Sequence, residues 1–215
     1  MRLVIPYRLS GQGVELRYAI RSIYKHFKNL SGVLLIGDKP EWYCGDHIPL
    51  ADLIGNKERS MQLKVLQCPD PVFLYSNDDY YAAEDFDYQL PHYYDTTCRD
   101  LATRHPMKGY RAMYNNCLSD WLNFDVHTPM IMERERFKTT FESMDGQTPI
   151  KTTYGQGLTG YYLTDVKIRG IHTRAEIEYK TRGRPFFSTH DSAVNQDLVS
   201  FLQNLYPYAS PCEGN

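Results

Sequence analysis

The sequence predicts an α/β fold built on a mostly parallel sheet flanked by helices, and three observations carry that prediction. Short apolar runs at residues 3–5, 33–36 and 72–75 read as buried strands, because they are brief, rich in β-branched and aromatic residues and bounded by Pro, Gly or Asp. Between them, residues 14–27 and 57–66 carry helical patterns. The connections are short, and strand, helix, strand in that order is the βαβ unit whose strands run parallel.

In chain order, Leu3-Val4-Ile5 is expected as the first strand, closed by Pro6. A polar loop with Gly11 and Gly13 leads into the first helix. Leu16, Ile20, Ile23 and Phe27 form its buried stripe, and Arg17, Arg21 and Lys25 a second stripe at i, i+4 spacing. Val33-Leu34-Leu35-Ile36 is the second strand, and residues 57–66 the next helix. A helical pattern over 100–121 is interrupted at Pro106, residues 124–132 read as extended, and glycine and threonine mark 146–160 as a mobile loop. An amphipathic helix over 195–206 closes the chain, with Leu198, Phe201, Leu202 and Leu205 on one side. One domain over 1–215 is expected, with residues 1–90 and 91–215 as its two halves.

Composition excludes several classes. With 24 basic and 26 acidic residues the formal charge is -2, so no global field draws nucleic acid to the chain. Five cysteines without a CxxC spacing fit neither a disulfide framework nor a structural zinc site, and suit a reducing compartment. No apolar run is long enough for a signal peptide or a membrane span, so a cytoplasmic location is expected. Eighteen tyrosines and nine phenylalanines are many for this length, and Tyr80, Tyr81, Phe86, Tyr88, Tyr93 and Tyr94 cluster. Two readings of that cluster stand: ring packing in an irregular subdomain, or a wall that stacks on sugar or base faces.

The third strand ends in Asn77-Asp78-Asp79. Ligands of open α/β sheets sit beyond the carboxyl ends of the strands. Adjacent carboxylates repel there, and Mg²⁺ or Mn²⁺ shared with a diphosphate resolves the repulsion, since hard cations take oxygen ligands. The same tripeptide is also a good turn.

Four blocks, in order, resemble the Stealth family of sugar-phosphate transferases. Residues 15–23 (ELRYAIRSI) are similar to the family's "ELRYSLRSI" helix, and 73–79 (FLYSNDD) to its "FIYFNDD". Residues 126–130 (VHTPM) resemble its "AHxP" segment; His190-Asp191 with 201–213 resembles its closing block. The family's opening block is absent, and His190 stands where the family usually has Asn. The first strand also resembles glycosyltransferases of the GT-A nucleotide-sugar fold, some small examples of which belong to phage and mobile elements.

The resemblance implies a GT-A-like domain with an irregular, aromatic-rich acceptor side, binding a nucleotide-sugar donor and a hydroxyl-bearing acceptor such as a glycan or a modified nucleic-acid base. It implies transfer of a sugar 1-phosphate, or, on the GT-A plan, of the sugar alone; a binding module is the third reading. Asp78 and Asp79 are the expected metal ligands, with Mg²⁺ or Mn²⁺ as cofactor. Asp79, His127, His190 and Asp191 are the expected catalytic residues: His127 as the base that takes the acceptor proton, His190 and Asp191 as a further metal ligand or a base–orienter pair. Residues 189–192 equally suit a helix cap. Arg8, Arg17, Arg21, Arg59, Ser60 and Asn77 are expected at the nucleotide sugar: arginine forks suit a diphosphate, and Arg59 and Ser60 open a helix whose N-terminus favours anions. For Arg17 and Arg21, a helix face paired with carboxylates is the other reading.

Overall fold

The structure, a computed structural model, describes residues 1–9, 11–53, 55–104, 121–144, 148–158, 162–163, 184–190 and 193–214. The strands are β1 (Arg2–Tyr7), β2 (Gly32–Gly37), β3 (Asp46–Ile48), β4 (Val72–Tyr75), β5 (Tyr80–Ala82), β6 (Tyr93–Tyr94), β7 (Thr96–Thr97), β8 (Leu122–Asn123), β9 (Met130–Glu133), β10 (Tyr162–Leu163) and β11 (Phe186–Ser188). The helices, numbered along the chain, are α1 (Val14–His26), α2 (Lys57–Leu66), α3 (Cys98–Arg104), α4 (Arg134–Glu142), α5 (Ile150–Gly155) and α6 (Gln196–Leu205).

The α/β class is borne out. Five strands form the central sheet in the order β3-β2-β1-β4-β9; the first four run parallel and β9 is antiparallel to β4. Alternation along β1 feeds two cores. Leu3, Ile5 and Tyr7 pack with Leu16, Ile20 and Ile23 of α1 on one face. Val4 packs on the other with Val65 of α2, Phe137 of α4, and Ile150 and Tyr154 of α5. A third core joins Tyr18 and Ala19 of α1 to Tyr81, Phe187, Leu198 and Leu202, so the β5–β11 ribbon and α6 cover the outer side of α1. Among the described residues no helix is long and apolar enough to cross a membrane.

Four expectations are corrected. Strand β1 does not stop at Pro6 but runs on to Tyr7. The Val4 carbonyl accepts the Ser76 N–H, so even-numbered residues of β1 face β4, and the β1–β4 ladder ends there. No ladder bond is then asked of the Pro6 nitrogen. The expected loop over 146–160 contains α5, whose Lys151, Thr152 and Thr153 are buried. Buried polar side chains gave that helix the appearance of a loop in the sequence. The final helix is capped by Asn195, whose Oδ1 accepts the Leu198 N–H at 2.9 Å, and not by residues 189–192. The extended segment 124–132 becomes a loop followed by β9. Of the helical pattern over 100–121, the described part ends at Arg104, and Pro106 lies outside the described residues.

Most of the aromatic cluster is ring packing. Tyr80 and Tyr81 are buried, and Phe86 packs on Phe27 and Phe186, while Tyr88 is 63% exposed.

Candidate active site

The carboxyl end of β4 is a tight polar turn. Asn77 is fixed between two tyrosines: the Tyr75 hydroxyl donates to its Oδ1 at 2.5 Å, and its Nδ2 donates to the Tyr80 hydroxyl at 3.1 Å. Its amide is thus occupied in shaping the turn that presents Asp78 and Asp79. The chain then enters β5, which pairs antiparallel with β11, Ser188 opposite Tyr80. One residue further, the Thr189 N–H donates to the Asp79 carbonyl at 3.2 Å, and the Thr189 hydroxyl donates to Glu15 in the first turn of α1. Segment 188–190 is therefore laid against the acid turn, with His190 exposed beside it. Asp191 lies outside the described residues.

His127 reaches the same place from the loop before β9. Its Nδ1 is 2.6 Å from the Ser188 hydroxyl, and its ring stacks on Tyr80 at 5.4 Å between centroids. Lys151 of α5 lies beneath, fully buried, donating to the Val126 and Thr128 carbonyls and facing the Tyr80 ring at 4.7 Å.

The electrostatics are those of crowded acids in a dry setting. Burial pushes the Asp79 carboxyl well above the usual carboxylate range, Asp78 and Glu15 push it further, and Lys151 offsets part of this. Burial lowers His127 below its ordinary value; Asp125 opposes that, Lys151 reinforces it, and Asp95 opposes it. The imidazole is therefore neutral at neutral pH. Burial brings the Lys151 amine down to about 8 against the pull of Asp125, Asp79 and Asp95. Glu58, in the first turn of α2, is raised to about 6 by burial and by Asp125.

Asp78 and Asp79 fit a divalent cation by their chemistry. They are hard oxygen donors, and a cation would offset the burial and like-charge crowding that raise the Asp79 carboxyl. Among the described residues no three His, Cys, Asp or Glu side chains are gathered as a metal cluster.

Other expected binding residues lie apart from this turn. Arg21 forms a two-pronged pair with Glu213, at 2.8 Å from Nε and 2.6 Å from Nη2. Arg17 approaches the same carboxylate at 3.6 Å and covers the Trp42 ring at 4.7 Å. The structure turns this stripe toward Glu213 and the C-terminal segment, the carboxylate-paired arrangement that was the other reading of Arg17 and Arg21. Arg59 lies over Phe141 at 3.8 Å. Ser60 is buried; its hydroxyl donates to Asp52 and accepts the Leu53 N–H. Arg8 is exposed beyond β1, 3.6 Å from Asp52. Asp52 also receives the buried Lys64 at 2.6 Å. These contacts knit the loops beyond β1 and β3 to α2. Gly37 belongs to the same knot: a Cβ there would stand 2.1 Å from the Tyr7 carbonyl and 2.6 Å from Lys64 Nζ.

Ser188, Lys151, Asp125 and Glu58 escaped the sequence reading. Nothing local marks them, because each acquires its place through a contact distant in sequence. A cavity of about 410 Å³ at the far end of α1, lined by Tyr24, Lys25, Tyr206 and Pro207 among others, includes no residue of the acid turn.

No family model and no curated protein matches the chain, so the Stealth resemblance rests on the four blocks themselves. Two solved structures are similar over 98% of each chain. A crystal structure of an active-site mutant of LgtC shares 10% identity with a TM-score of 0.49. The galactosyltransferase LgtC in complex with donor and acceptor sugar analogues shares 9% with a TM-score of 0.48. At this level the likeness assigns no activity, and the α/β class rests on the sheet itself.

Proposed function

We propose that this chain is a GT-A-like nucleotide-sugar transferase whose donor diphosphate docks at the acid turn. The observation that carries the reading is the pairing of β11 beside the acid turn: the Thr189 N–H donates to the Asp79 carbonyl, and the neighbouring Ser188 hydroxyl holds a neutral histidine, His127. Asp78 and Asp79 would hold Mg²⁺ or Mn²⁺, which supplies charge neutralisation at the diphosphate. With Nδ1–H donating to Ser188, the His127 Nε2 lone pair takes the proton of an acceptor hydroxyl as it attacks. Asn77, tied to Tyr75 and Tyr80, keeps the carboxylates in place, and the 188–190 segment closes the side nearest α1. His190, exposed beside the turn, and Asp191, next in sequence, serve as a further ligand or proton-handling pair. The acceptor is a glycan hydroxyl or one on a modified nucleic-acid base, and the free thiols of Cys44, Cys68, Cys98 and Cys212 suit a cytoplasmic enzyme.

The sequence blocks favour transfer of a sugar 1-phosphate. A second reading, transfer of the sugar alone, is favoured by the engagement of Arg17 and Arg21 with Glu213, which removes two cations from a phosphoryl-transfer site. Incubation with Mg²⁺ or Mn²⁺, a panel of nucleotide sugars and a panel of acceptors tests both. A released nucleoside monophosphate supports sugar-phosphate transfer, and a nucleoside diphosphate supports glycosyl transfer. Release of neither across the panels counts against the reading.

A further inference from the structure

Lys151 enters the interior from α5 with 1% of its surface exposed. Burying an ammonium is costly unless it is paired or hydrogen-bonded, and here its bonds have a particular pattern. Nζ donates to the carbonyl of Val126 and, at 3.1 Å, to that of Thr128, the residues on either side of His127. The same amine faces the ring of Tyr80, on which the His127 imidazole stacks. The helix beneath is locked to this loop as well. Thr152 Oγ1 accepts the Phe124 N–H at 3.1 Å, and a Cβ on Gly155 would stand 2.1 Å from the Phe124 ring, so only glycine permits the approach. A short helix thus commits Lys151 and Thr152 to the backbone of one loop. That loop carries the histidine.

We propose that Lys151 is a positioning residue, clamping the backbone on both sides of His127 so that the imidazole is held between Ser188 and Tyr80. The proposal rests on the reading of His127 as the base in the transfer reaction. Asp125, Asp79 and Asp95 surround the amine, so the ammonium form that makes both bonds is supported where it stands. Removing the clamp frees the loop, whereas the hydrogen bonds that shape the acid turn, among Tyr75, Asn77 and Tyr80, do not involve Lys151.

The test is a double-mutant cycle on the nucleotide sugar that turns over in the panel. Lys151→Met is expected to lower kcat by roughly 10–10²-fold with KM for the donor within about twofold, since misplacing a reacting group costs rate, not binding. The pair Lys151→Met/His127→Ala is expected to be no slower than His127→Ala alone, because Lys151 acts through His127. Losses that multiply instead would overturn the clamp. A full-rate His127→Ala would overturn the base reading itself; a slowed His127→Ala beside an unslowed Lys151→Met would overturn only the positioning. Independently of any substrate, and in case Lys151→Met does not fold, NMR of the His127 ring compares wild type with Lys151→Gln. A single ordered ring with a protected Nδ1–H in wild type, lost in the variant, is expected; identical spectra would contradict the clamp.

Discussion

Two charged regions of this molecule were expected to meet the same ligand, and they are built in opposite ways. On α1, Arg17 and Arg21 converge on Glu213, and the Arg21–Glu213 pair leaves 12% and 7% of the two side chains exposed. Burial would raise the Glu213 carboxyl, yet hydrogen bonds from Arg21 and Ser210 hold it below the usual range. At the end of β4 the carboxylates crowd one another, and Asp79 is driven the other way. In the first region Arg21 is paired within the fold and anchors the C-terminal segment, while Arg17 stands 3.6 Å from the same carboxylate. The second keeps acids together at a cost in stability, the electrostatic feature on which the proposed ligand site rests.

The sharpest way to break this contrast is Asp79→Asn. It should abolish turnover while leaving Tm unchanged or slightly raised, since it relieves repulsion; activity assays and thermal melts read both. Next comes His127→Ala, expected to slow turnover by roughly 10²–10⁴-fold. In the wild type the acid limb of the kcat/KM–pH profile should lie below the ordinary histidine value of 6.5, because burial lowers the imidazole. Arg21→Ala should do the reverse of Asp79→Asn. Removing one partner of a largely buried pair costs about 3 kcal/mol, a fall in Tm of roughly 6–12 °C for a chain of this size, with turnover preserved below the melt.

The smallest effect sharpens the comparison at the rim. Glu58 stands at about 6 when folded against 4.5 ordinarily, so between those values the folded chain holds more protons than the unfolded one. Its contribution is complete below pH 4.5 and is lost as pH rises through about 6. Glu58→Gln should therefore flatten that pH dependence and raise Tm at pH 7 by roughly 2–4 °C.

Much of this architecture was legible in the residues. The bounds of α2 and β4 are those the pattern predicts, and the βαβ order gave the parallel sheet, because hydrophobic periodicity is local. The acid turn was legible for the same reason: position at a strand end is itself local information. What was not legible depended on distant partners. Nothing near Arg21 in sequence announces Glu213, 192 residues away. Lys151 sits among threonines and glycines that hide a buried helix, and Ser188 gains its meaning only when β11 pairs with β5 beside His127.

The most direct measurement is calorimetric titration of UDP and GDP, each with and without Mn²⁺, into wild type, Asp79→Asn and Arg21→Ala. The account predicts metal-dependent binding of at least one nucleotide to wild type, retained in Arg21→Ala and lost in Asp79→Asn. Binding that survives Asp79→Asn, or that disappears with Arg21, would contradict it.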